Sequence, residues 1–563
     1  MLNGIYRVAD AMLAFVRRVE DIPGKLPELG VVISYAVLHF VMTAFHEPWL
    51  DEAVAWQIAR CATVSDILFK IPHYEGHPQL WHFIMLPFVR LGMPYEMSLA
   101  LISFLFTGIA VALIVYKSPF PRVVRCLLPF TYFIFYQYGV IVRPYCVMLL
   151  AFVLLAITYK RRSDCPGRYA LSLALLAGTS AFGIVMAGGI ALVWVIEIWE
   201  ERRIGVFLKS FLRDRRIWCL FALLMWALFL VASIMPAEDT FATNLKIEQE
   251  EYTPMWIRLC YMFFVSLPDV LLTDAYGSYE LLQTVEFSPV DLVSAGLLGI
   301  LLWAVIFLFG RIKKTTLLFL LPHVLLGITG SVLYINIHHI GIVQFLFLFW
   351  VWISLEETDK KEQKRIRISK ESIVRVMALG SSLCLGVLLF WNISACVQEV
   401  QKEYAPGRSL AGFLKKNSLD SYKIMGQWQC IYDEDQGVLL DENTNNCTIA
   451  MDIAPYFEKN IVYNYADGKN EGNYISHIVP TEEDNKKNHE KWKAQGIPDI
   501  LLREPKLGEV WTDGEVAFKD YIPVYVCEVQ QIWKVSAENS HIYVYVKRDL
   551  ARKLGLKAVI GSN

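Results

Sequence analysis

Two adjacent acids, Asp51 and Glu52, follow Trp49 in the stretch HEPWLDEAVAWQIARC, where the first long apolar run of the chain stops. A carboxylate at such an edge can take the proton of an attacking hydroxyl if the two come within hydrogen-bond reach. The plainer role for the pair is a helix start, since acids suit the positive end of a helix and Trp suits an interface. In the same loop PHYEGHPQLWH places Glu75, His77 and His82 around Pro78. A turn leading into a Pro-started helix accounts for Pro78 and Trp81, but not for three titratable side chains in so short a stretch. Arg143, in YQYGVIVRPYCV, is a lone guanidinium at a tight connection between apolar runs. It can snorkel to lipid phosphate or hold a phosphate of a bound substrate. His338 and His339, in NIHHIGIVQ, open a later apolar run. Neighbours at i and i+1 on a helix point apart, so hydrogen-bond donation to phosphate oxygen is a more economical role for them than chelation of a metal. Lys246 and Arg258 lie in a long acidic loop and are further candidates for phosphate, with a solvated face as the simpler alternative for the acids around them.

These residues need a scaffold, and composition supplies it. The chain has 563 residues, of which 55% are hydrophobic, 13% aromatic and only 19% charged. That is too apolar for an ordinary soluble protein of this size. A formal net charge of −2 gives no dominant basic surface and argues against nucleic acid as a partner. Apolar blocks of about 15 to 22 residues match the length that crosses ~30 Å of hydrocarbon. Crossings are expected near 30–46, 98–116, 124–138, 141–159, 169–184, 185–199, 217–235, 288–310, 315–333, 338–355 and 373–394, about eleven in all.

Basic residues collect in alternate loops: Lys117, Arg122 and Arg125; Lys160, Arg161, Arg162 and Arg168; ERRIGVFLKSFLRDRR; RIKK; and DKKEQKRIRISKESIVR. By the positive-inside rule these loops are cytoplasmic, and the carboxylates, imidazoles and Arg143 all fall on the opposite side. The first 29 residues read as a cytoplasmic amphipathic segment with no cleavage site, residues 30–395 as the membrane domain, and 396–563 as an extracytoplasmic domain. In that last part GRSLAGFLKKN has helical spacing, whereas KNIVYNY, PDILL, YIPVYVCEVQQIWKV and HIYVYVKRD are β-rich, which predicts a small α/β domain. Of eleven cysteines, Cys396, Cys430, Cys447 and Cys527 fall there; Cys430 and Cys447 are the best-placed pair for a disulfide, with four reduced thiols as the alternative. No nucleotide-binding G-x-x-x-x-G-K-[ST] loop is present.

WLDEAVAWQIAR after one span, followed by GHPQLW, VRPYCVMLL and HHIGIVQFLFLFW, resembles the GT-C superfamily of polyprenyl-phosphate-sugar-dependent glycosyltransferases. The branch is that of protein O-mannosyltransferases and the lipid A aminoarabinose transferase, and the likeness covers roughly residues 30 to 395. It implies a GT-C-like α-helical polytopic fold in the plasma membrane. It further implies hexosyl or pentosyl transfer, with inversion, from a lipid phosphate to a glycan, lipid or protein acceptor of the cell envelope. Asp51 takes the place of the family's acceptor-side acid, with Glu52 beside it. His77 stands where Lys often precedes Pro, Gln79 where a second Pro is usual, and His338 where Arg is common. A divalent metal could assist, although no ligand spacing demands one. The competing expectations are a lipid-diphosphate polymerase or ligase, which would not require an acidic pair after the first span, and a lipid-linked sugar flippase or transporter, which would place its charges near mid-bilayer.

Overall fold

A computed structural model describes residues 2–201, 214–240, 254–275, 289–333, 335, 337–357, 370–427, 431–433, 438–440, 448–458, 460–462, 498–503 and 521–559, with 481, 483 and 487 as isolated positions. The protein is mostly helical. Among the described residues seven helices are long and apolar enough to cross a membrane: Leu26–Phe45, Tyr95–Lys117, Ala181–Glu201, Arg215–Ile234, Val293–Lys313, Ile337–Glu356 and Val374–Gln401. With a small C-terminal sheet, this is the architecture of a polytopic membrane protein.

The four remaining expected crossings take other forms. Thr316–Val332, Tyr145–Tyr159 and Pro166–Ala177 are helices of 17, 15 and 12 residues. The stretch expected as a span at 124–138 is broken into a short helix Arg122–Leu127, a 3-10 turn Leu128–Phe130 and a fully buried π-helix Phe133–Val140. Proline explains the breaks. Pro121 precedes the short helix, Pro129 sits in the 3-10 turn, and Pro144 caps the next helix, each removing a backbone donor.

The chain divides into two compact units. The first holds residues 1–41, 103–234 and 245–396. Its N-terminal helix Leu2–Glu20 carries Arg17 and Arg18 in its last turn, where cations suit the negative helix end. The turn that follows wraps Arg122, whose guanidinium donates to the carbonyls of Ile22 (2.5 Å) and Gly24 (3.1 Å) and to Glu28 (2.8 Å). Helix Ala181–Glu201 comes so close to Thr316–Val332 that a Cβ on Gly189 would lie 2.7 Å from the Cα of Pro322.

The second unit holds residues 42–102, 235–244 and 397–563. The loop after the first span belongs to this unit with the C-terminal residues. Its helices Leu50–Cys61, Val64–Phe69, Pro72–Glu75 and Leu80–Arg90 share one apolar core with the C-terminal segment. Val54, Ile58 and Ile67 pack in that core with Leu410, Ile500 and Val544. The sheet runs in the order Ile424–Gln427, Ile500–Arg503, Ser536–Lys547, Tyr521–Trp533. The first pair is parallel and the others are antiparallel. A parallel pair needs a crossover rather than a hairpin, so the domain is α/β, with helix Gly407–Lys416 as expected. Of the expected strands, PDILL, YIPVYVCEVQQIWKV and HIYVYVKRD are matched, Val462 forms a bridge among the described residues of KNIVYNY, and Ile424–Gln427 was not foreseen.

Candidate functional site

In the second unit the acidic pair splits into two roles. Glu52 is fully buried at the third position of helix Leu50–Cys61, where its Oε2 accepts from the Trp49 backbone N–H at 3.0 Å. The same oxygen lies 3.1 Å from His46 Nε2, while His46 Nδ1 lies 2.8 Å from Glu399 Oε1. Burial alone would drive this imidazole neutral, but the two carboxylates outweigh it and raise its pKa from 6.5 to about 10. His46 is therefore an imidazolium sandwiched between two carboxylates. Asp51 sits in the first helical turn and is half-buried, on a different face from Glu52 because adjacent positions on a helix diverge.

Next to this triad, Glu47 accepts from the backbone N–H of Tyr404 (2.9 Å) and from Arg408 Nη1 (2.8 Å). Burial pushes the Glu47 carboxyl up from 4.5 to about 7, against the opposing pull of Tyr404 and Arg408. Arg408 also donates to Glu96 (2.8 Å) and to the carbonyl of His46 (2.8 Å), and Tyr456 donates to Glu96 at 2.6 Å. At the far end of the same helix Arg60 donates to the carbonyls of Phe457 (2.9 Å) and Ala454 (3.1 Å).

Downstream in this unit, Glu75 ends the short helix Pro72–Glu75, and half-buried His77 leads into Pro78. His73 Nδ1 lies 2.6 Å from the Met235 carbonyl. His82 is buried on helix Leu80–Arg90 against the Ala55 backbone; burial lowers its pKa, so the ring stays neutral, while Glu75 pulls the other way.

In the first unit three of the expected cationic residues are gathered. The Arg143 guanidinium carbon lies 5.5 Å from the centroid of the Tyr145 ring, and Tyr145 meets His339 edge-on at 5.9 Å. The ring centroids of Phe182 and His339 are 5.0 Å apart. Tyr138, on the π-helix, donates its hydroxyl to the His338 carbonyl at 2.8 Å. His338 and His339 occupy a 3-10 turn, Ile337–His339, rather than an α-helix. Their ring centroids are nevertheless 4.0 Å apart, where the expectation was that the side chains diverge. The packing of Phe133 and Tyr138 just after this turn depends on Gly341, because a Cβ there would lie 2.3 Å from Phe133 and 2.6 Å from the Tyr138 hydroxyl.

Arg258 is buried on helix Met255–Cys260, directly before a second π-helix, Tyr261–Val265. Lys246, Cys430 and Cys447 lie outside the described residues. Cys396 and Cys527 are free thiols, and Cys527 donates to Glu403 at 3.0 Å. Among the described residues no group of three His, Cys, Asp or Glu side chains is spaced to hold a metal ion.

Sequence reasoning missed His46, Glu47, Glu399 and Arg408. The signal for the first two was present, since His-Glu at the end of twenty apolar residues is a titratable pair at a membrane edge. Glu399 was missed because the last span was ended at 394, whereas its helix runs to Gln401. Compared with known proteins, the chain matches no family model and no curated relative.

Proposed function

We propose that the protein is a membrane glycosyltransferase of GT-C type. It takes a sugar from a polyprenyl-phosphate carrier and transfers it to a cell-envelope acceptor at the extracytoplasmic face of the plasma membrane, with the N-terminus inside and the C-terminal domain outside. The observation that carries this reading is the meeting of Arg143 and His339 on the Tyr145 ring, brought together from segments far apart in sequence. A guanidinium and an imidazole set in a buried aromatic wall suit a lipid phosphate, whose charge grows as it leaves.

In this reaction the acceptor hydroxyl gives its proton to Asp51 as its oxygen bonds to the anomeric carbon. The bond from that carbon to the phosphate oxygen breaks, and the electron pair leaves on the oxygen of the lipid phosphate. One displacement inverts the anomeric centre. Glu52 is engaged by His46 and the Trp49 N–H, and Asp51, half-buried in the first helical turn, is the base proposed here. The test is transfer from a radiolabelled polyprenyl-phosphate sugar to envelope acceptors by the purified protein. Asp51→Asn should slow it about 10²–10⁴-fold, and transfer by that variant at the wild-type rate would overturn the mechanism.

A further inference from the structure

We infer that the C-terminal segment is a working part of the acceptor-side site, with Arg408 as the positioning residue for the helix that carries Asp51. The inference rests on the proposed transfer reaction and extends it to a region that the sequence marked only as a separate small α/β domain.

The helix Leu50–Cys61 is held at both ends by residues after 397. At its start, Arg408 reaches three groups of the preceding turn and its neighbours: the His46 carbonyl, Glu47 and Glu96. A guanidinium presents its donors in a rigid planar fork, so three such bonds fix direction as well as distance, which a lysine ammonium cannot do. The Tyr404 N–H holds the second oxygen of Glu47, and Glu399 holds His46. At its end, Arg60 binds the carbonyls that close the 3-10 turn Ala454–Tyr456. Val54 and Ile58 lock the middle of the helix into the core shared with Leu410 and Leu414.

The apolar contacts are sufficient to hold the helix in place along its length. The polar set concentrates instead on the turn immediately before Asp51, where a small change of entry angle moves that carboxylate most. A displacement near 1 Å at a reacting group costs on the order of 10²-fold in rate.

The experiment uses the full-length protein in nanodiscs, comparing wild type with Arg408→Ala, Arg408→Lys and Glu96→Gln. Arg408→Ala should lower kcat by about 10²-fold with donor KM changed less than about twofold. Arg408→Lys, which keeps the charge and loses the fork, should fall between. Amide exchange over residues 46–55 should rise in Arg408→Ala while the hairpin 521–547 is unchanged. Glu96→Gln removes one partner of the fork and should show the same split more weakly, which serves if Arg408→Ala does not fold. Unchanged exchange over 46–55, or a loss expressed mainly in donor KM, overturns the inference. If wild type itself transfers no sugar, the proposed reaction fails, and the exchange comparison still decides whether Arg408 positions this helix.

Discussion

His46 Nε2 lies 3.1 Å from Glu52 Oε2, so the second acid of the pair completes a buried ion cluster with His46 and Glu399. The two neighbours should respond differently to loss of charge. Glu52→Ala leaves His46 buried with one carboxylate fewer, and breaking such a pair costs about 3–5 kcal/mol. Asp51→Asn, an isosteric change at a half-buried position, should lower the thermal unfolding temperature in detergent by less. Equal loss of stability in the two variants would contradict the division of roles.

The same cluster sets a pH dependence. The folded protein raises the pKa of His46, so its contribution is fully present below 6.5 and is lost as pH rises through about 10. Glu47 is also raised, so its protonated form favours folding, and that contribution declines between 4.5 and about 7. Melting temperatures followed from pH 5 upward should therefore fall in two windows. Glu47→Gln should remove the lower one and His46→Gln the upper one.

Arg143 and His339 should act on donor binding. Replacing Arg143 with Ala removes a charged hydrogen-bond donor worth about 1.5–3 kcal/mol, or roughly 10- to 150-fold in affinity. Equilibrium binding of a polyprenyl phosphate without sugar is the direct measurement, and an unchanged Kd for Arg143→Ala would remove this residue from the phosphate site.

Gly341 makes a steric prediction. A methyl group there would meet Phe133 and Tyr138, and overpacking of this kind costs about 1–3 kcal/mol. Gly341→Ala should lower the melting temperature, and adding Tyr138→Phe should recover part of the loss by clearing the hydroxyl. A glycine variant as stable as wild type would show that the histidine turn has room to spare.

The membrane class and the α/β character of the C-terminal domain were legible because they rest on periodicity over many residues. Long apolar runs at 95–117 and 181–201 and the alternating strand 521–533 each repeat their signal several times. The π-helix Phe133–Val140 was not legible, because FIFYQYGV has the apolarity of a span and nothing in its spacing marks a wider helix. The four-residue strand Ile424–Gln427 is too short for alternation to register, and its partner at 500–503 lies far along the chain. At the site, charge at a membrane edge drew attention to Asp51, Glu52 and Arg143. The pairing of His46 with Glu399, 353 positions away, depends on tertiary packing that local patterns do not encode.

The shared core of the second unit also constrains how the protein is made. Residues 42–102 leave the ribosome well before their core partners after 397. At roughly 5–20 residues per second the interval is on the order of 15–60 s. Throughout it Val54, Ile58 and the His46 ion cluster stand without the groups that complete them. Maturation of the loop after the first span is thus tied to a segment synthesised much later, and a product truncated before that segment would carry an unfinished loop.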